Sequence, residues 1–339
     1  MKNLMRIGWL VSAAIVLVLN GVRAQDFHFS QFDQSPFNIN PALTGAFDGA
    51  FRFIGNQRSQ WRSVTVPYRT TGLAVDARNP QGLPVHGGLS LFHDQAGDSR
   101  LRRTSLNLSS AVEVPLNGDR NTLVTIGAAL GFTSMQMDYS QLTYDSQWNG
   151  LVYDPSIGSG ENFARDGRAY MNAHLGAAFM KKWEGGRRLN TGLGLFNLSA
   201  PKQSFFDEGF VRLDQRVNVH ATWIEPINAE WEIRPSMLFM TQGAYREWDI
   251  GGTAHYILSP QSFMFRAIYG GVFMRTRDAG FLVAGMRYDE WNVGLSYDIN
   301  TSDLRPASAG RGGFELSVIY IIPPKPTARL LRKVCPDYI

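Results

Sequence analysis

The residues able to do chemistry are few in this chain, and their spacing does not assemble a familiar centre. Six histidines are scattered along 339 residues, with no His-Glu-x-x-His motif and no pair at metal-ligand spacing on one predicted face. His174, His220 and His255 fall inside strand-like runs, but no serine and acid stand at positions that would complete a Ser-His-Asp site. Gly158-Ser159-Gly160-Glu161 is glycine-rich, yet no helical pattern follows it, so it reads as a flexible loop and not a phosphate cradle. Asp94, Gly97 and Asp98 are placed in a polar loop, where carboxylates could bind calcium and where turn capping is the more ordinary role. Cys335 is the only cysteine, which excludes an intrachain disulfide framework and leaves intermolecular pairing or a free thiol. These observations point away from an enzyme and imply no cofactor.

The elements that must carry these residues have a clear period. Trp291, Val293, Leu295, Tyr297 and Ile299 share one face of a run, while Asn292, Gly294, Ser296, Asp298 and Asn300 share the other. Val124, Ile126, Ala128, Leu130 and Phe132 likewise oppose Thr125, Gly127, Ala129, Gly131 and Thr133. Phe314, Leu316, Val318 and Tyr320 oppose Glu315 and Ser317. Phe263, Phe265, Ala267, Tyr269 and Phe273 alternate with Arg266, Gly270 and a few apolar residues, and are assigned the apolar face. Weaker alternation recurs near residues 50–60, 68–78, 85–94, 102–114, 168–183, 189–199, 212–225, 229–242, 246–258 and 280–289. With the four runs above this makes about fourteen strands, an even count of suitable length for a bacterial membrane barrel.

Breaks at Asn117-Gly118-Asp119, Gly185-Gly186 and Asp289-Glu290 are compact turns. Trp183, Trp223, Trp231, Trp248, Tyr256 and Trp291 sit near run ends, where a membrane barrel places aromatics at headgroup level. A soluble β-sandwich would use the same alternation. The Gly, Ser, Asn, Thr and Arg of the second face suit a hydrated lumen better. The predicted fold is therefore all-β: a transmembrane antiparallel β-barrel of about 14 strands, with a non-barrel N-terminal segment and a short C-terminal tail.

The ends read differently from the wall. Lys2 and Arg6, an apolar stretch over residues 7–19, and Val22-Arg23-Ala24 describe a secretory signal peptide over residues 1–24, cleaved after Ala24. Residues 25–48 are rich in Phe, Gln, Asn and Pro without a period, and are assigned to the periplasm or to a plug. Residues 49–322 form the barrel, with 138–167 a long loop, and 323–339 a basic, Pro-rich tail able to dock on an acidic partner or simply to be solvated. Loss of Lys2, Arg6 and Arg23 takes the formal charge from +4 to +1, and the tail holds +3, so the barrel is slightly acidic. The basic pI of about 9.2 thus implies no nucleic-acid partner.

Short motifs at both ends add a resemblance. Asn38-Ile39-Asn40-Pro41-Ala42-Leu43-Thr44-Gly45, then Arg58, Gln60-Trp61 and Tyr68, then Gly87-Gly88 and Asp94-Gln95-Ala96-Gly97, resemble the PorP/SprF family. So do Tyr297-Asp298-Ile299-Asn300-Thr301-Ser302, Gly312-Gly313-Phe314-Glu315-Leu316-Ser317 and Cys335-Pro336. The resemblance implies an outer-membrane barrel of a Bacteroidetes-type bacterium that serves type IX secretion or gliding motility. Its partners would be a large secreted adhesin or other type IX cargo, periplasmic or outer-membrane machine proteins, and outer-membrane lipid. Asn40, Pro41, Gly45, Gln60, Trp61, Asp94, Gly97, Cys335 and Pro336 are the candidate partner-contact or family-motif residues. Gln60-Trp61 fits either a partner hot spot or an interface-belt aromatic. A channel or small-solute transporter is the alternative function, suggested by the polar inner face.

Overall fold

The computed structural model describes residues 26–60, 66–79, 84–97, 100–116, 118, 120–160, 165–205, 211–259, 266–302, 308 and 310–324. The expected signal peptide, Trp61, Asp98, Cys335 and Pro336 lie outside the described residues, as does nearly all of the tail.

Fourteen antiparallel strands close into one barrel. In chain order they are β1 Phe51–Gln60, β2 Tyr68–Ala77, β3 Val85–Ala96, β4 Leu101–Pro115, β5 Thr122–Gln136, β6 Gly167–Lys182 and β7 Arg188–Phe196. They continue as β8 Arg216–Pro226, β9 Trp231–Gln242, β10 Tyr245–Ser259, β11 Arg266–Arg275, β12 Ala279–Tyr288, β13 Trp291–Asn300 and β14 Arg311–Ile322. Each strand bonds its sequence neighbours, and β1 closes on β14 in register from Phe51 opposite Ile322 to Gln60 opposite Gly313. Closure matters physically, because hydrocarbon offers no partner to an open strand edge and each unpaired backbone group there would cost several kcal/mol.

The two faces follow the period-two pattern. On β5, Ile126, Leu130 and Phe132 point outward, and Ile126 is 62% exposed, while Thr125, Gly127, Ala129 and Thr133 face the lumen. On β13, Trp291, Leu295, Tyr297 and Ile299 are exposed and Ser296, Asp298 and Asn300 are buried inside. An apolar exterior over a polar interior is the inverse of a soluble protein and suits a lipid surround. Among the described residues no helix is long and apolar enough to cross a membrane.

Aromatics gather outside at one end, with Trp183 against Trp223 at 5.1 Å, Trp231 against Tyr256 at 5.1 Å and Trp291 against Tyr320 at 4.6 Å between ring centroids. That end carries the short turns over 183–187, 227–230 and 289–290. The last has Asp289 at φ 54°, a left-handed position that Asp tolerates in a two-residue hairpin. The long connections over 137–166, 197–215 and 301–310 leave the opposite end. In outer-membrane barrels the long connections lie outside the cell.

One strand is reversed relative to expectation. On β11, Ile268, Val272 and Met274 face outward, whereas Ala267, Tyr269 and Arg275 are buried inside. The inward aromatics meet the N-terminal segment: Phe32 packs edge-on against Phe273 at 5.8 Å, and Phe273 stacks on Phe281 at 5.1 Å. Part of the lumen wall is apolar because it receives an apolar occupant.

Candidate functional site

Residues 26–47 occupy the lumen, and their local structure explains how so aperiodic a stretch is held there. Pro36 opens a single helical turn, α1, over Pro36–Ile39, where its fixed φ suits the first position. Asn40 is extended and caps a 3-10 turn over Pro41–Leu43, its Oδ1 accepting from the Ala42 N–H at 2.9 Å. The same amide donates through Nδ2 to the Ala177 carbonyl at 2.9 Å and lies 3.2 Å from His220 Nε2. Asn40 is wholly buried, and an added Cβ at Gly176 would fall 1.9 Å from its Oδ1. Gly127 gives the same clearance to the Pro41–Ala42 backbone, at 2.6 Å. Inward glycines of β5 and β6 thus form a flat floor on which the turn lies.

At the short-turn end residues 43–45 are locked by a balanced ion pair, and Arg78, paired with Glu113, holds the Phe47 carbonyl beside it. Arg52 donates to Asp76 from Nε at 3.0 Å and from Nη2 at 2.7 Å, and also to the Leu43 carbonyl at 3.0 Å. Asp76 accepts from the Gly45 N–H at 2.7 Å. Gly45 sits at φ 74°, and a side chain there would run into the His86 ring at 2.3 Å.

At the long-loop end the segment is held by charge. The Ser30 and Gln31 N–H groups donate to the Glu315 carboxylate at 2.7 and 3.0 Å, and the Ser30 hydroxyl donates to Asp298 at 2.7 Å. Arg58 reaches Asp298 at 2.8 Å and donates to the His28 carbonyl, while Arg275 joins Asp298 at 3.2 Å and Asp249 at 3.0 Å. Asp26 completes this end: its N–H donates to Gln242 at 2.8 Å, and its carboxylate accepts from Asn197 at 2.7 Å and from Arg103. Charge-assisted bonds of this kind are about twice as strong as neutral ones.

The motif residues thereby acquire places. Asn40, Pro41 and Gly45 lie inside the lumen, not on an outer surface. Arg58, Asp298 and Glu315, from three separate motifs, converge on residues 28–31 of the segment, and Gly88 makes room for Phe37, 2.8 Å from where a Cβ would stand. Gln60 ends β1 between Tyr68 and Gly313. Asp94 belongs to β3 and not to a loop, because the strand runs on to Ala96; its carboxylate accepts from the Thr70 hydroxyl at 2.6 Å. Gly97 makes the following turn at φ 65°.

The strand histidines face the lumen as hydrogen-bonding wall residues. His174 accepts from the Asn197 N–H at 3.1 Å, and His255 lies 2.9 Å from the Thr253 hydroxyl and stacks on Tyr269. Sequence reasoning missed Ser30, Arg275 and Glu247, which carry no motif. For Arg275 and Glu247 the available signal was a charged residue on the lumen face of a membrane strand, whereas Ser30 offered none.

The other distinctive surface is the connection between β5 and β6. It is organised by 3-10 turns at Tyr139–Gln141 and Asp145–Gln147 and by a bridge between Trp148 and Tyr153. Asn149 Oδ1 accepts from the N–H groups of Leu151 and Val152, both at 3.0 Å, and thrusts the tip outward. Leu151 is 84% exposed, with Trp148, Val152 and Tyr153 exposed around it.

A closed fourteen-strand wall, an apolar exterior with an aromatic rim at the short-turn end, and a hydrogen-bonded segment in its bore define a plugged transmembrane β-barrel. Residues 22–320 match the family described as type IX secretion system membrane protein PorP/SprF, and the chain belongs to that family. It is therefore a type IX secretion membrane protein with an outer-membrane barrel fold.

No curated protein matches the chain. Similar solved structures include the CymD monoaromatic hydrocarbon channel, 12% identical with a TM-score of 0.48 over 86% of this chain and 93% of that one. CdiB from Acinetobacter baumannii is 8% identical with a TM-score of 0.43 over 80% of this chain, which spans only 60% of CdiB. A Pseudomonas aeruginosa FadL homologue is 11% identical with a TM-score of 0.40 over 83% of this chain and 92% of that one.

Proposed function

We propose that this protein is a non-enzymatic outer-membrane component that helps a large adhesin reach or stay on the cell surface, or contacts the type IX machine, in a Bacteroidetes-type bacterium. The observation that carries the reading is the plug. Residues 26–47 are bound to the lumen wall at both ends, so what the barrel offers to other molecules is its surface and not its bore. The exposed apolar tip around Leu151 supports the same reading, since a patch of this kind at a loop end marks a contact site. The test is a deletion strain in which surface adhesin and general permeability are measured together. Loss of one adhesin from the surface with unchanged permeability is the expected result, and unchanged display of every adhesin defeats the proposal. Stepwise conductance of the purified wild-type barrel in planar bilayers would replace it with the channel reading.

A further inference from the structure

The geometry points to a divalent transition-metal site built from His28, Glu247 and Asp278, which would fasten the N-terminal segment to the wall at the long-loop end. One ring nitrogen of His28 and one carboxylate oxygen from each acid lie within 4.8 Å of one another. The three come from three parts of the fold: the lumen segment, β10, and the turn between β11 and β12. Small side-chain adjustments bring such a set to the distances of about 2.0–2.2 Å that zinc takes with nitrogen and oxygen.

Two independent observations say that a cation belongs there. The His28 side chain is buried and both of its ring nitrogens lack a hydrogen-bond partner, although imidazole inside a protein normally uses them. Glu247 gives one oxygen to the Tyr245 hydroxyl and leaves Oε1 without a hydrogen-bond donor, and Asp249 Oδ2 is in the same state.

Charge is the second observation. Among the described residues, five carboxylates, those of Glu247, Asp249, Asp278, Asp298 and Glu315, are joined in one network to only two guanidiniums, Arg58 and Arg275. All but Asp278 are buried, so the surplus negative charge must be neutralised there, by bound protons or by a cation. A dication would offset most of it.

Arg275 does not fill the role. It lies beside the set, 3.5 Å from Glu247 Oε1 and 3.1 Å from Asp278 Oδ2, where it orients both carboxylates as an outer partner. The donor set also selects the ion. One imidazole with two carboxylates suits zinc, manganese or ferrous iron; calcium takes oxygen ligands alone, and no thiolate is present for a soft ion. Three protein ligands leave a position for water, and Asp278, 31% exposed at its side chain, stands at the entry.

The test uses the full chain in detergent micelles, stripped with EDTA, equilibrated with zinc, desalted, and assayed for bound metal. About one zinc per barrel is expected. His28→Ala and Glu247→Gln should each weaken binding by at least roughly tenfold while the barrel keeps its heat-modifiable gel mobility. Cobalt loaded in place of zinc should give visible absorption bands in the wild type that both variants lose. Wild-type metal content no higher than that of the EDTA-treated protein overturns the site, and so does zinc uptake that survives both substitutions. The wild-type stoichiometry decides even where a variant fails to fold.

Discussion

The two ends of the lumen segment are held by different physics. Around residues 40–45 the grip is one of shape: a capped turn on a glycine floor, one ion pair and one left-handed glycine. Around residues 26–31 it is one of charge, with acids in excess of the arginines that bind them. A shape-based seat tolerates no added atom, whereas a charge-based seat tolerates small changes of volume but not the loss of a partner. The same peptide thus fails in two ways depending on where it is struck.

The largest effect is expected at the charged end. Arg58→Ala strips Asp298 and Glu315 of their shared buried partner, which should cost about 3–5 kcal/mol in urea unfolding of the refolded barrel. A loss below about 1 kcal/mol would mean that charge does not hold this end.

At the shaped end, Gly176→Ala drives a methyl group into Asn40 and should cost about 1–3 kcal/mol, while Gly87→Ala, with nothing within 4 Å of the new atom, should be nearly silent. Equal effects of the two alanines would remove the floor from the account. Thr44→Val deletes the hydroxyl that donates to the Pro41 carbonyl and pairs with the Ser109 hydroxyl, for about 1 kcal/mol by the same unfolding assay. The smallest change is outside both ends. Leu151→Ser should alter stability by no more than about 0.5 kcal/mol, yet reduce recovery of partner proteins in a cross-linked pull-down. Undiminished recovery would take the loop tip out of the proposed contact surface.

Much of the wall was legible because its signal is local. A strand announces its two faces every second residue, so the runs around Val124–Phe132 and Trp291–Asn300 stand out without knowledge of their neighbours. The inner occupant was not legible in this way. Residues 26–47 have no period, since each side chain answers to a different strand: Phe32 to Phe273, Asn40 to His220, Gly45 to Asp76. The reversal of β11 has the same origin, because its inward Tyr269 and Phe273 look like a lipid face until the occupant they meet is placed. The motifs around Asn40, Asp298 and Glu315 were visible as motifs, but their convergence on one internal segment was not, with more than 250 residues separating Ser30 from its acids. His28, Glu247 and Asp278 shared no pattern at all.

The ring of strands has one consequence for its own making. Asp26 lies among residues of one mouth and Gly45 among those of the other, and the chain then turns directly into β1, the strand that seals the circle against β14. The barrel is a hoop drawn tight around its own leading stretch. Bulky rings such as Phe29, Phe32 and Phe37, all buried, cannot be pulled lengthwise through a finished bore that they themselves fill. Such packing favours an assembly like casting around a core, with the inner piece seated before the last pair of strands shuts over it. A fault in those few residues is thus carried into the closure of the entire wall.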